Sequence, residues 1–269
     1  MFKMSKVKVN DINMYYEIHG DGFPLVMING LGGNADYWKI DPDFLGWISK
    51  NFKTIIFDNR GAGQTDKPDI EYSIKMFADD TVGLMDALHI EKAHILGNSM
   101  GGAIAQELVL NYPERVEKLV LGCTHCGGGR QTIPSPEVRE TLMKMAGMTP
   151  EEGAETLISL LYTEDFIKNN PDVIERTRQY LLKDPAPEFS LQRQLVAAMR
   201  FNAGRRLKKV NTPTLIVHGK KDILNPVKNA EILAKLIPGS KTLLLDNTRH
   251  AFGYPNPERV KEGMLEFLK

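Results

Sequence analysis

Cysteine is scarce in this chain, with two residues in 269. Cys123 and Cys126 cannot build a disulfide framework, and such sparing use fits a reducing compartment. An excess of charge of either sign is also missing. The 34 basic and 34 acidic side chains cancel to a formal net charge of zero, and no long basic stripe appears, so nucleic acid and other polyanions are excluded as expected partners. No apolar run approaches the roughly 18 residues that span a bilayer. The first residues, Met1-Phe2-Lys3-Met4-Ser5-Lys6-Val7-Lys8, interrupt their apolar positions with lysines, so no secretion signal is read. A soluble, cytoplasmic protein without a membrane partner is expected. Internal repeats and low-complexity tracts are absent too, and the length suits one large domain or one domain carrying an insertion.

The apolar pattern that is present has two periods. Lys6 to Asn10 and Ile12 to His19 alternate polar and apolar residues around Asn10-Asp11, which predicts an antiparallel hairpin. Short β-rich runs follow at Leu25 to Asn29, Thr54 to Asp58, Ala93 to Gly97, Lys118 to Cys123, Thr214 to Gly219 and Lys241 to Asp246. Most are separated by helix-length segments, as a largely parallel sheet requires. Phe77, Thr81, Leu84 and Leu88 mark one helical face, and Ile104, Leu108 and Tyr112 another. Between Thr124 and about Lys209 the strand signals stop. Helical stretches separated by prolines replace them, one opening with the capping box Thr149-Pro150-Glu151-Glu152. The expected organisation is an α/β core from residues 1–123 and 210–269, with 124–209 as an inserted helical cap.

Ile95-Leu96-Gly97-Asn98-Ser99-Met100-Gly101-Gly102 places a serine between two glycines, after a strand and before a helix. This is the pattern of a nucleophile elbow. The turn is so tight that its flanks have little room for side chains, and the strained serine is lifted clear of the sheet. The amide of Met100, just after the nucleophile and at a helix start, faces any developing anion. A serine hydroxyl is a weak nucleophile at neutral pH, so a histidine base and an orienting acid are required downstream. Asp222 follows the strand ending at Gly219, and His250 follows the next strand. Both lie just past a carboxyl edge of the sheet, where an open parallel sheet forms its crevice.

These residues carry a resemblance. Asn29-Gly30-Leu31-Gly32-Gly33, Asp58-Asn59-Arg60-Gly61-Ala62-Gly63, the elbow, and His218-Gly219 with Asp222 and then His250 together resemble the α/β-hydrolase superfamily. The resemblance implies an α/β fold with a mostly parallel eight-stranded sheet flanked by helices, an inserted helical cap, a Ser99-His250-Asp222 triad and no cofactor or metal. It also implies that the backbone NH of Leu31 is the second donor of the oxyanion hole. Family members often carry histidine at the position of Asn29 and another side chain at Asn98. The expected activity is that of a carboxylesterase on small to medium acyl esters, with a small-molecule ester or lactone as partner. Enol-lactone hydrolysis, carbon-carbon bond hydrolysis of ring-cleavage products, and slow-turnover reception of a small molecule are the alternatives.

Other signals are weaker. Gly30-Leu31-Gly32-Gly33-Asn34-Ala35 with Asp58 fits a dinucleotide fingerprint, but Asp41-Pro42 interrupts the helix that fingerprint needs. Cys123-Thr124-His125-Cys126 supplies only two cysteine ligands and reads as pocket rim rather than a zinc or redox site. His19, His89 and His94 fall in strand or helix-end positions with no acidic or cysteine companion at a spacing that suggests chemistry, and none is assigned to them. Met143, Met145, Met148, Leu160, Leu161, Tyr162, Phe166, Met199 and Phe201 are expected to supply an apolar cap lining. Arg130, Arg193 and Arg200 are the arginines that would clamp a substrate carboxylate.

Overall fold

The structure is a computed structural model that describes residues 3–251, 253 and 255–269. Met1 and Phe2, the start of the stretch read above for a secretion signal, lie outside the described residues. The strands are β1 (Lys3–Val9), β2 (Ile12–His19), β3 (Pro24–Ile28), β4 (Lys53–Phe57), β5 (Ala93–Asn98), β6 (Val116–Gly122), β7 (Thr214–Gly219) and β8 (Lys241–Leu245). They form one eight-stranded sheet in the order β1-β2-β4-β3-β5-β6-β7-β8. Only β2 runs antiparallel to its neighbours β1 and β4; every other pairing is parallel. All eight runs read from the sequence are strands, because each concentrates apolar residues between turn formers.

Alternation within the strands divides the core into two layers. Val26 and Ile28 of β3, with Leu119 and Leu121 of β6, face a cluster completed by helices α2 (Ile74–Ala87) and α3 (Met100–Asn111). Leu25 and Met27 of β3, with Val120 of β6, face the opposite cluster. There the covering helices are α1 (Pro42–Asn51) and, from the end of the chain, Pro257–Leu268. Phe77, Thr81 and Leu84 are buried as their spacing predicts. Asp41-Pro42 does what such a pair does at a helix start: Asp41 caps α1 and accepts from Asp43 and Phe44 amides, with Pro42 in the first turn.

From β3 the chain steps outward to β4 and then returns to the other side of β3 as β5. This reversal opens a crevice at the carboxyl ends of β3 and β5. Between β6 and β7 come only helices among the described elements: α4 (Pro136–Lys144), α5 (Pro150–Leu161), α6 (Glu164–Asn169), α7 (Pro171–Lys183) and α8 (Glu188–Arg200). The capping box forms, with Thr149 and Glu152 exchanging side-chain and backbone bonds at the start of α5.

These helices sit on the crevice loops through specific polar contacts. Gln194 of α8 accepts from the Gly32 amide at 2.8 Å and donates to Arg60 O at 2.8 Å. Ser190 donates to Gly61 O at 2.7 Å, and Arg176 of α7 donates to Ile40 O at 2.8 Å. Near the far end of the chain, the Ala251 amide donates to Leu161 O at 3.2 Å, and Ala251 packs in the apolar cluster of Ile158, Tyr162 and Ile174.

Candidate active site

The turn between β5 and α3 has no room for side chains at its glycines. A Cβ on Gly97 would lie 2.2 Å from Gly101 O, and one on Gly101 would lie 2.2 Å from Ile28 O. Both obstacles are backbone. Ser99 between them has φ 56° and ψ −119°, a conformation that costs a residue with a Cβ about 1–3 kcal/mol. The strain is held by the Ser99 amide donating to Gly122 O at 2.8 Å and by Thr124 Oγ1 donating to Ser99 O at 2.7 Å. Ser99 itself remains half-buried, with its side chain near Gly30 of the loop after β3.

That loop is braced from beneath. Asp58, at the end of β4, accepts from the amides of Ala35 and Gln64, each at 2.6 Å. Burial raises the Asp58 pKa to about 6 in spite of those bonds. Asn59 donates to Asn29 O at 3.1 Å, and Asn29 donates to Asn34 O. Arg60 is fully buried and ion-paired with Asp80 at 2.8 Å and Asp11 at 2.6 Å. Asp58 and Arg60 therefore hold loops. The dinucleotide alternative fails here: a short 3-10 turn, Ala35–Lys39, follows the glycines, and the Asp58 carboxylate is consumed by backbone amides.

Asp222 and His250 meet at the carboxyl ends of β7 and β8. His250 Nδ1 lies 2.8 Å from Asp222 Oδ2, with both side chains buried. The other carboxylate oxygen accepts from the amides of Leu224 at 2.9 Å and Asn225 at 2.8 Å. His218, the β7 residue of the His-Gly pair, approaches Oδ2 at 3.4 Å and donates to Asn225 O at 2.6 Å. Burial opposes the charge of Asp222, but attraction to His250 and bonds from His218 and His250 outweigh it and hold its pKa far below the carboxylate range. A charged, fully donated-to aspartate fixes the His250 proton on Nδ1 and leaves Nε2 as the basic nitrogen. The amides of Leu31 and Met100 donate to no partner among the described residues.

A model of the family described as the alpha/beta hydrolase fold matches residues 24–257. The chain belongs to that family. Among curated relatives, this hydrolase is 31% identical over 260 residues to the RutD protein of Azorhizobium caulinodans, named as a carbamate hydrolase, covering 96% of this chain and 95% of the relative. Among solved structures, it is 28% identical to a thermophilic esterase from Thermogutta terrifontis, with a TM-score of 0.82 and coverage of 99% and 98% of the two chains. It is 26% identical to the meta-cleavage product hydrolase CumD from Pseudomonas fluorescens IP01, with a TM-score of 0.83 and coverage of 98% and 97%.

Several side chains of the hydrolase depart from the reading of its sequence. Cys123 is fully buried in the core layer and lies against Asp222 and His250, so it is no rim residue. Cys126 points into the opposite layer. His125, dismissed with the cysteine pair, is half-buried near His250 and His218; burial and those two rings lower its pKa to about 4. The Gly127 amide donates to its Nδ1 at 3.1 Å, so its proton sits on Nε2. No sequence signal marks this, since the bond depends on the Gly127 turn.

The lining expected from segment 124–209 also differs. Met143 and Met199 are 75% and 72% exposed. Leu160, Tyr162 and Phe201 are buried in packing instead. Arg193 and Arg200 pair with Asp69 and Glu71 in exposed positions, and Arg130 lies in an outer groove beside Arg205 and Arg206. Near the elbow, Asn98 donates to Tyr37 Oη at 3.3 Å, and the Tyr37 ring meets Tyr180 of α7 edge-on at 6.1 Å. Burial raises both phenols far above the physiological range, so they remain neutral hydroxyls. His94 packs between Phe23, tilted against it, and Phe52, edge-on to it, and His19 pairs with Glu17, which leaves both as structural groups. Among the described residues, no helix is long and apolar enough to cross a membrane.

Proposed function

We propose that this hydrolase is a serine carboxylesterase acting on small to medium acyl esters, with Ser99, His250 and Asp222 as its triad. The observation that carries the reading is the 2.8 Å contact between His250 Nδ1 and a buried, charged Asp222 at the sheet edge that also bears the strained Ser99. His250 Nε2 takes the Ser99 proton as Oγ attacks the ester carbonyl. The carbonyl oxygen gains charge and is held by the amides of Leu31 and Met100, each such donor being worth about 2.7–4 kcal/mol in the transition state. The tetrahedral intermediate collapses, His250 gives its proton to the departing alcohol, and an acyl-enzyme remains. Water, deprotonated by the same nitrogen, then attacks the acyl carbon and releases the acid and Ser99. Segment 124–209 acts as the cap that shapes the acyl and alcohol pockets.

A second reading, carbamate hydrolysis, is favoured by the relatives named as RutD. The chemistry is the same attack on a carbonyl that bears nitrogen. One experiment separates the two: turnover of nitrophenyl esters of graded acyl length and of matched carbamates by wild type and by Ser99→Ala at equal folding. Ester turnover that vanishes in the variant supports the esterase. Preference for the carbamates transfers the assignment to the second reading. Full activity in Ser99→Ala overturns both.

A further inference from the structure

Cys123 supplies a third ligand atom to the His250-Asp222 pair. Among the described residues, Cys123, Asp222 and His250 form the one trio of such side chains whose ligand atoms all lie within 4.8 Å of one another, and all three residues are buried. The ends of three adjacent strands create this meeting. Cys123 follows β6 directly, with its amide donating to Val217 O of β7 at 2.9 Å, and Asn225 beyond Asp222 donates to Cys123 O at 2.7 Å. Cys123 therefore cannot drift from Asp222. A soft sulfur, an imidazole nitrogen and a carboxylate oxygen are the ligand types of zinc, whose bonds to them are about 2.3, 2.0 and 2.0–2.2 Å. Ligand atoms with such bonds stand roughly 3.3–3.7 Å apart around a tetrahedron, so adjustments near an ångström close the trio on an ion.

We infer that Cys123, His250 and Asp222 form an inhibitory site for a soft divalent cation such as zinc or cadmium. The thiol of Cys123 loses its proton to solvent on binding. His250 binds through the nitrogen facing Asp222, so the proton on Nδ1 moves to Nε2. One proton leaves in all, and no oxidant is needed. The bound cation thus reverses the His250 tautomer: Nε2 becomes a donor and has no lone pair for the Ser99 proton. His250 lies on the loop after β8 rather than in a strand or helix, so its ring can turn to admit the ion from the Ser99 side. Hard cations, which take oxygen ligands, are refused by the sulfur. The metal site stands on the trio alone, and its inhibitory effect rests on the proposed hydrolase mechanism.

The direct test is cadmium titration of Ser99→Ala protein, read by the ultraviolet thiolate-to-cadmium charge-transfer band. With only two cysteines in the chain, the sulfur is assigned by substitution. The band is expected in Ser99→Ala and in the Ser99→Ala, Cys126→Ala double variant, and its loss is expected with Cys123→Ala or, should alanine disturb folding, Cys123→Ser. In wild type, zinc at micromolar concentration inhibits ester turnover, chelator restores it, and magnesium or calcium has no effect. Relative to each protein's own metal-free rate, Cys123→Ala raises the inhibitory zinc concentration by at least about 100-fold, since outer-shell partners alone cost 10–100-fold. A band that survives loss of Cys123, or no band at millimolar cadmium, overturns the site. If the site binds cadmium while esters are not turned over, the metal site stands and the esterase reading falls.

Discussion

Replacing Asp222 by asparagine tests the electrostatic logic of the site more sharply than removing the serine. Three donors hold the carboxylate, the amides of Leu224 and Asn225 on one oxygen and His250 Nδ1 on the other, while His218 Nε2, which donates to Asn225 O, lies 3.4 Å from that second oxygen. Asparagine offers one oxygen and one amide nitrogen in their place. If its oxygen keeps the two backbone amides, its NH2 points at His250 Nδ1, which must then become an acceptor. The imidazole proton moves to Nε2 and the base is lost. Geometry is nearly unchanged, so the effect falls on kcat, by a factor on the order of 10⁴, or about 5.4 kcal/mol at 1.36 kcal/mol per tenfold step. The folding cost is smaller, about 1–3 kcal/mol for one unsatisfied buried contact. The assay is nitrophenyl ester turnover beside urea denaturation followed by circular dichroism. Activity within tenfold of wild type, in a variant as well folded, refutes the tautomer argument.

Gly97→Ala forces a Cβ to 2.2 Å from the Gly101 carbonyl, which backbone must yield to relieve. A loss of about 1–3 kcal/mol or more in denaturant stability, with activity falling alongside, is expected. Gln194→Ala removes the acceptor from the Gly32 amide next to Leu31, so kcat should drop roughly tenfold as an oxyanion donor loses its aim; an unchanged kcat in steady-state kinetics counts against a positioning role. Asp58 has a folded pKa raised from 3.8 to about 6, so its favourable contribution is complete below the unfolded value and is lost as pH rises through the folded one. The stability difference between wild type and Asp58→Asn should therefore fall by about 2.4 kcal/mol from about pH 4 to about pH 7 in urea titrations, and a flat difference contradicts the shift. Arg193→Ala and Arg200→Ala break only exposed ion pairs, so stability should change by less than about 1 kcal/mol and ester KM by less than about twofold.

The eight strands were legible because each buries a short run of apolar residues between turn formers, and such local patterning survives whatever the distant chain does. The strained serine was legible for a related reason: only glycine tolerates the contacts that Gly97 and Gly101 make, so the turn writes itself into the residue types. Residues of segment 124–209 were harder to read. Met199 and Phe201 look alike in a hydropathy pattern, yet one is 72% exposed and the other 5%, because their burial depends on which way α8 rests on the crevice loops.

Residue types and their order along the chain determined the strands, the elbow and the order of Ser99, Asp222 and His250. Only the tertiary structure decided that Cys123, read from its motif as pocket rim, would lie against Asp222 and His250, and that His125 would join His218 near them. The reason is physical: these contacts connect the ends of separate strands, and they exist only once sheet order and register have placed those ends side by side. Sequence spacing carries the period of a strand or helix, whereas the neighbours of a strand's last residue are fixed by how the whole sheet is stacked.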